Sequence, residues 1–213
     1  LEAAFYGSRR PSSQDGFYIG RVTDYMYHGL SIMAETAAIL EVLHERYPRA
    51  KLCVTGFSFG AAMATGAAVL AGTTCKAPVA CVPYVGGESP AVLLTGMMRH
   101  DIAWEQLEAD GTIQTQGRAE TQDRLFEVMA AMNHWRLAKA SKRFAQGPAV
   151  SVTHLTGCRN DHFIVRYHHK TLQEVLNFAS HDFSFDWHAG GHVTAYIKRL
   201  LGRGQVPGVL RAL

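Results

Sequence analysis

Short apolar runs alternate along this chain with segments in which apolar residues recur at helical spacing. The apolar runs predict strands near residues 52–54, 79–85, 149–156 and 183–187. Helical spacing predicts helices over 24–46, through the alanine-rich stretch after residue 60, over 167–179, and from Val193 onward. This alternation is typical of an α/β fold, in which a mostly parallel sheet carries helices on both faces.

The segment 90–147 departs from this alternation, because it contains no convincing strand pattern. Helices are predicted over 91–99, 103–108 and 120–144, with turns at Gly111 and Gly117. An all-helical insertion of this kind is expected to form a cap over an active site. The predicted organisation is a core segment over 1–89, the cap over 90–147, and a second core segment over 148–213.

Two interpretations of the cap helix over 120–144 stay open. One face carries apolar residues and the C-terminal part carries basic ones: Leu125, Val128, Met129 and Met132, then Arg136, Lys139, Lys142 and Arg143. The plainer interpretation is a packed helix with a solvated basic end. The alternative is a lid that approaches an anionic membrane surface, with methionines against acyl chains. The aromatic cluster 25–27 is expected to belong to the core.

A G-x-S-x-G motif lies between the first predicted strand and the alanine-rich helix. It consists of Gly56, Ser58 and Gly60. In a nucleophile elbow a strand delivers the serine to a turn so tight that glycines are expected on both sides. The alternative is an ordinary glycine-bracketed turn. The flanking strand and helix favour the elbow, so Ser58 is the candidate nucleophile. The backbone N–H of Phe59 is then the candidate hydrogen-bond donor of an oxyanion hole.

A serine nucleophile needs a histidine base and a carboxylate that orients it, in the chain order serine, acid, histidine for an α/β-hydrolase. Asp161 follows a predicted strand, and His192 lies in the glycine turn before the last helix. These are the candidate acid and base. His188 is a rival base, and Asp182 and Asp186 are weaker rival acids. The remaining histidines of this region are expected to be surface or hydrogen-bonded residues: His154, His162, His168, His169 and His181.

Several motifs resemble the family of α/β-hydrolase domain-containing protein 18. They are FYGSRRPSSQ at 5–14, VTDYMYHG at 22–29, GFSFGA at the elbow, VPYVGGESPAV, GMMRHDIAWEQL at 96–107, the Asp161 turn, and GGHVTAY at 190–196. The resemblance implies an α/β-hydrolase fold with nucleophile, acid and base at Ser58, Asp161 and His192. It also implies two departures from the family pattern, since Ala61 stands where a second glycine is usual and Val165 where a proline is usual.

The part of the chain before the elbow is short for such a fold. An α/β-hydrolase has several strands there, and one of their loops supplies the second oxyanion-hole N–H. The chain also begins with Leu1, and residues 1–5 resemble a late strand of the N-terminal half. We therefore expect N-terminal strands to be missing, with the N-terminal remainder of the same protein as a partner of this piece.

Composition adds broad limits. The chain is 47% hydrophobic and 18% charged, with a net charge of +3 and a pI of about 8.7, as expected for one soluble globular unit. Cys53 and Cys81 fall in predicted strands, which favours reduced, buried thiols and an intracellular, reducing compartment; the mild basicity is compatible with mitochondria. His168 and His169 are adjacent and are expected on different faces of their helix, so no metal site is predicted. No nucleotide motif or nucleic-acid-binding pattern is present, and no cofactor is expected.

Two functions from different classes follow. The first is a serine hydrolase acting on a small-molecule or lipid carboxylic ester through an acyl-enzyme, with the triad Ser58, Asp161 and His192. The second is a hydrolase-derived accessory subunit of a larger, possibly mitochondrial, assembly, in which the triad is retained but the pocket or oxyanion hole is not functional.

Overall fold

A four-stranded parallel sheet forms the centre of the computed structural model, which describes residues 2–16, 19–74, 79–109, 117–145 and 148–200. Its strand order is β1-β2-β3-β4. The strands are β1 Leu52–Phe57, β2 Val79–Tyr84, β3 Val150–Cys158 and β4 Ser180–His188. The helices are α1 Val22–Arg46, α2 Phe59–Thr74, α3 Val92–Thr95, α4 Trp104–Ala109, α5 Arg118–Ala131, α6 His134–Ala145, α7 Arg166–Ala179 and α8 His192–Leu200, with 3-10 turns at Gly7–Arg9 and Met97–His100.

The register of the sheet brings the carboxyl ends of all four strands to one edge. Tyr84 of β2 pairs with Phe57 of β1 and with Thr156 of β3, and Thr156 pairs with Asp186 of β4. The loops that follow the strands therefore begin side by side. In open α/β sheets this edge is where functional groups collect.

One face of the sheet is covered by α2 and α7. Alanine and valine side chains of α2 pack against Val79 and Cys81 of β2, and Val175 of α7 joins the same cluster. The helix α2 is buried on almost every side, as its nearly uniform apolar sequence predicts. All six residues of β2 are buried, so this strand lies at the centre of the core.

The opposite face is covered by α8 near the carboxyl edge. Ala195 of α8 packs with Ala80, Val82 and Tyr84, which alternate with the β2 residues that face α2. Helices thus lie on both faces, as the sequence pattern predicts. The expectation of a buried thiol is correct for Cys81 and wrong for Cys53, which lies on the edge strand β1 and is exposed.

The expected strand at the start of the chain is absent from the described residues 2–5, and Leu1 lies outside them. Residues 4–5 form a turn, and Phe5 has a φ of +67°. Instead of joining the sheet, this segment lies against α1. The Nδ1 of the buried His28 donates to the carbonyl oxygen of Ala4 at 2.6 Å, and Arg9 makes a two-point ion pair with Glu35.

The insertion between β2 and β3 consists of helices and connecting turns, with no strand, in the residues that the structure describes, and the predicted turn at Gly111 lies outside those residues. The single helix expected over 120–144 is two helices, α5 and α6. Asn133 separates them, because its Oδ1 accepts the N–H of Arg136 at 3.2 Å and so caps the start of α6. Leu125 and Met129 of α5 are buried, and they pack near the start of α1. No helix in the described part of the chain is long and apolar enough to cross a membrane.

Candidate active site

Ser58 lies between the last residue of β1 and the first residue of α2. Its φ is +54°, a left-handed conformation that is uncommon for a residue with a side chain. The backbone holds it there from both sides. The Ser58 N–H donates to the Tyr84 carbonyl at 2.9 Å, and its carbonyl accepts the N–H groups of Ala61 and Ala62. This is the strained strand-to-helix turn that an elbow requires.

The two glycines of the motif have different roles. A Cβ on Gly56 would lie 1.9 Å from the carbonyl oxygen of Gly60, so no side chain fits at residue 56. A Cβ on Gly60 would meet nothing within 4 Å. The expectation that both glycines are sterically required therefore applies to Gly56 and is wrong for Gly60.

The Asp161 carboxylate lies just after β3, and both of its oxygens have hydrogen-bonding partners. Its Oδ1 accepts the backbone N–H groups of Phe163 and Ile164 at 2.8 and 3.0 Å. Its Oδ2 accepts Nδ1 of His192 at 2.8 Å and contacts Nε2 of His169 at 3.3 Å. Burial alone would raise the pKa of Asp161, but the hydrogen bonds from the two histidines and from Ile164 hold that pKa well below its usual value. The carboxylate is therefore charged at neutral pH.

His192 is the first residue of α8, directly after the glycine turn. Because its Nδ1 donates to Asp161, Nε2 is the free nitrogen of the neutral ring. The ring packs at 5.1 Å from the ring of Phe57, the neighbour of Ser58, and at 5.2 Å from the ring of Phe163. Within the described residues no hydrogen bond joins the Ser58 hydroxyl to His192.

The rival residues lie elsewhere. His188 contacts the Thr194 hydroxyl at 3.3 Å, and burial lowers its pKa. Asp186 lies 3.6 Å from Nε2 of His154, while Asp182 is exposed. Among these candidates the structure places the Asp161 carboxylate against His192.

His169 is the site residue that the sequence argument missed. It and His168 are both buried, and as adjacent residues of α7 they have different partners: His168 contacts Glu88, whereas His169 contacts Gly86 and Asp161. His169 lies three residues before Leu172 and seven before Leu176. His168 lies four residues before Leu172 and seven before Val175, so both histidines continue the buried stripe of the helix. Reading the stripe back one turn from Leu172 would have placed both imidazoles inside.

A pocket of about 120 Å³ adjoins Ser58. It lies between α1, the start of α2 and the helical insertion, and Tyr25, Leu30 and Leu93 are among its lining residues. Five of the seven methionines of the chain also line it: Met26, Met33, Met63, Met98 and Met132. Tyr25 and Met26 were expected only in the core, and Tyr27, from the same cluster, is 71% exposed.

His134 is a polar residue of this pocket, and it lies at the start of α6. Its side chain is buried, and within the described residues its Nδ1 has no hydrogen-bond partner. Burial lowers the pKa of His134 to about 4, against the opposing effect of the Glu88 charge. The imidazole is therefore neutral at physiological pH.

Phe59, the first residue of α2, is the expected oxyanion-hole donor. The first N–H groups of a helix have no acceptor within the helix, so this N–H is available to a ligand. The Phe59 ring stacks on His28 at 5.0 Å with an interplanar angle of 4°, which ties the elbow to α1. No group of three or more potential metal-ligating side chains occurs in the described part of the chain.

Comparisons with known proteins give a family match and several similar solved structures. A family model for alpha/beta hydrolase domain containing 18 matches residues 1–201. Among solved structures, an acylaminoacyl peptidase from Pyrococcus horikoshii is 15% identical with a TM-score of 0.46, and the match covers 79% of this chain and 24% of that one. The type II thioesterase of the borrelidin biosynthetic cluster is 18% identical with a TM-score of 0.44, over 81% of this chain and 68% of that one.

Acyl-protein thioesterase 2 from Zea mays is 17% identical with a TM-score of 0.40, over 83% of this chain and 66% of that one. The chain thus spans about a quarter of the peptidase and about two thirds of each thioesterase. At these identities and TM-scores the likeness carries no information about activity or substrate.

Proposed function

The chain belongs to the α/β-hydrolase domain containing 18 family, and from that membership we propose that it is a serine hydrolase acting on a carboxylic ester. The observation that carries the proposal is the 2.8 Å hydrogen bond from His192 to Asp161, at the same sheet edge as a serine in the left-handed conformation of an elbow. A neutral imidazole held in one tautomer beside a charged carboxylate can act as a general base.

The reaction proceeds in two steps. The Ser58 oxygen attacks the ester carbonyl carbon while Nε2 of His192 takes the hydroxyl proton. The carbonyl oxygen, which becomes negatively charged, accepts a hydrogen bond from the backbone N–H of Phe59. His192 then returns the proton to the departing alcohol as the carbon–oxygen bond breaks. Water attacks the acyl-enzyme with His192 again as base, which releases the carboxylic acid and restores the Ser58 hydroxyl.

The pocket favours an ester with an apolar acyl chain, which includes lipid esters. Its lining is dominated by apolar side chains, and its five methionines are flexible and polarisable. Such a surface adapts to flexible chains of different shape. Small acyl groups would leave most of it unfilled.

A catalytically silent accessory subunit is the second candidate, and one observation favours it. The Ser58 hydroxyl makes no hydrogen bond with His192 in the described part of the structure. Catalytic hydrogen bonds are often long in the absence of substrate, which is why we rank this function second.

A fluorophosphonate probe tests the proposal, because it reacts with a serine that a nearby base has activated. We expect the protein to be labelled, Ser58→Ala to abolish labelling, and His192→Ala to reduce it by at least 100-fold. Ser184→Ala is a matched control, since Ser184 of β4 contacts His154 of β3 and its loss should not affect labelling.

The melting curve of each variant, recorded in parallel, separates loss of reactivity from loss of folding. A folded wild-type protein that stays unlabelled would overturn the hydrolase proposal and favour the accessory subunit.

A further inference from the structure

His169 contacts two acceptors from inside the core. Its side chain has no exposed surface, its Nδ1 lies 3.0 Å from the carbonyl oxygen of Gly86, and its Nε2 lies 3.3 Å from Oδ2 of Asp161. Neither a carbonyl oxygen nor a carboxylate can donate a hydrogen bond. The question is therefore where the protons of this ring lie.

The proton on Nδ1 is fixed by the Gly86 carbonyl. A neutral ring with that proton would present the lone pair of Nε2 to the carboxylate oxygen, which is a repulsive contact between two fully buried side chains. Asp161 itself supplies no proton, because three other donors, the N–H groups of Phe163 and Ile164 and Nδ1 of His192, already surround it and its pKa is lowered. A ring that carries protons on both nitrogens satisfies every contact.

We infer that His169 is a buried imidazolium ion paired with Asp161, and that it is a positioning residue for the candidate acid. This inference rests on the proposed function for its catalytic meaning, while the charge of His169 can be tested by itself. The pair makes the resting site electrically balanced before His192 gains a proton.

The other groups around His169 do not supply this balance. Cys158 of β3 is neutral, because burial and the Asp161 charge raise the pKa of its thiol to about 12. The Trp187 ring of β4 meets His169 edge-on at 6.0 Å, and Arg166 lies over that indole. From the same helix, His168 is paired with Glu88, with its Nδ1 2.9 Å from both carboxylate oxygens. His192 of α8 shares Oδ2 of Asp161 and is the group that the balance would affect.

The consequence concerns how tightly His192 holds a proton. A carboxylate with no other partner would stabilise a protonated His192 strongly. With His169 already paired to the same oxygen, Asp161 still orients the ring but attracts its positive charge less. His192 then returns the proton that it takes from Ser58 more readily to the departing alcohol.

The first experiment measures the charge directly. In the full chain labelled with ¹⁵N-histidine, ring nitrogen and proton shifts distinguish a doubly protonated ring from each neutral tautomer. We expect one ring, identified by its loss in His169→Gln, to be doubly protonated at pH 7.5. A single-tautomer pattern for His169 at that pH overturns the inference, whether or not the protein is active.

The second experiment measures the effect on the site. In His169→Gln the acid limb of the pH profile for fluorophosphonate labelling should lie at higher pH than in wild type, because the carboxylate is no longer shared with a cation. His168→Gln is the matched control: it removes a neighbouring buried pair on the same helix and should lower stability without moving the pH profile.

The outcomes are distinguishable. If wild type is not labelled, the proposed function fails and the spectra still decide the charge of His169. If wild type is labelled and His169 is an imidazolium, but the two variants have the same pH profile, the positioning role is wrong. If His169→Gln does not fold, the His169 ring is assigned instead by its through-bond connection to the backbone, and the wild-type spectra still decide its charge.

Discussion

Asp161 shows how a few residues determine the candidate site. Each of its oxygens has two partners, two backbone N–H groups on one side and two imidazoles on the other. The backbone contacts set the position of the carboxylate on the loop after β3. The imidazole contacts come from two different helices, so the carboxylate joins the loop, α7 and α8 into one unit.

Ser58, Asp161 and His192 could be selected from the sequence because turns and glycines mark the ends of their elements. The structure brings Asp161 and His192 together, and the assignment of all three to a triad remains a prediction. His169 could not be selected in that way. It is adjacent to another histidine in a helix, and its partner oxygen belongs to a residue whose position depends on the whole sheet.

The buried His134 should make the stability of the protein depend on pH. The unfolded chain binds a proton on this residue below about pH 6.5, whereas the folded chain resists protonation until about pH 4. Above pH 6.5 the titration of His134 therefore has no effect on the free energy of unfolding. As the pH falls toward 4, that free energy decreases by about 3 kcal/mol, because only the unfolded chain binds the proton readily.

Replacing His134 by leucine should remove this acid-dependent loss and leave stability at pH 7.5 equal to or above that of wild type, because a buried nitrogen without a partner disappears. Urea unfolding at several pH values between 4.5 and 7.5 checks this. His181→Gln, at an exposed position, serves as the control. Parallel pH curves for wild type and His134→Leu would contradict the prediction.

The positions of the strands and helices could be predicted from the sequence where the spacing of apolar residues is regular. All four strands and the helices α1, α2, α7 and α8 form close to their predicted positions. The first residues and the cap helix differ for local reasons. Residues 2–5 are held by contacts to α1 that no strand pattern encodes, and Asn133 is a cap whose effect depends on a side-chain hydrogen bond.

The helix α2 is placed by close backbone contact, which supports a prediction about its glycines. A Cβ on Gly72 would lie 1.6 Å from the carbonyl oxygen of Ala149, a backbone atom at the start of β3 that cannot move aside easily. We expect Gly72→Ala to destabilise the protein by about 1–3 kcal/mol.

Gly60→Ala is the matched substitution on the same helix. Its added Cβ meets nothing within 4 Å, so stability should be unchanged or rise by up to about 1 kcal/mol through the higher helix propensity of alanine. Equilibrium unfolding in urea compares the two. Equal effects of both substitutions would show that the contact with Ala149 does not limit the packing of α2.

At the scale of the whole molecule, the pocket lies where separate parts of the fold meet. Its lining comes from α1, α2, the loop after β2, the helical insertion and the loop before α7. The sequence predicted a helical insertion over the site. It could not predict the pocket, because the lining residues come from distant positions that converge only when α1 packs on α2.

A ligand in this pocket should therefore stabilise the entire chain. We expect octanoate to raise the melting temperature progressively with concentration, with a gain of about 1.4 kcal/mol at ten times its dissociation constant. Acetate at the same concentrations should have little effect. Ala62→Leu, which adds a side chain at a lining position, should lose most of the rise; an equal rise in that variant would place the binding elsewhere.

The sheet is built from two units, each of which is continuous in the sequence. The run β1-α2-β2 and the run β3-α7-β4 are each a complete crossover unit, and the inserted helices separate them in the sequence. Ser58 belongs to the first unit, whereas Asp161, His169 and His192 belong to the second unit and the helix that follows it. If the proposed triad acts, two polypeptides cut within the insertion would each be unreactive toward the fluorophosphonate, and reactivity regained on mixing them would report that the halves had docked along β2 and β3.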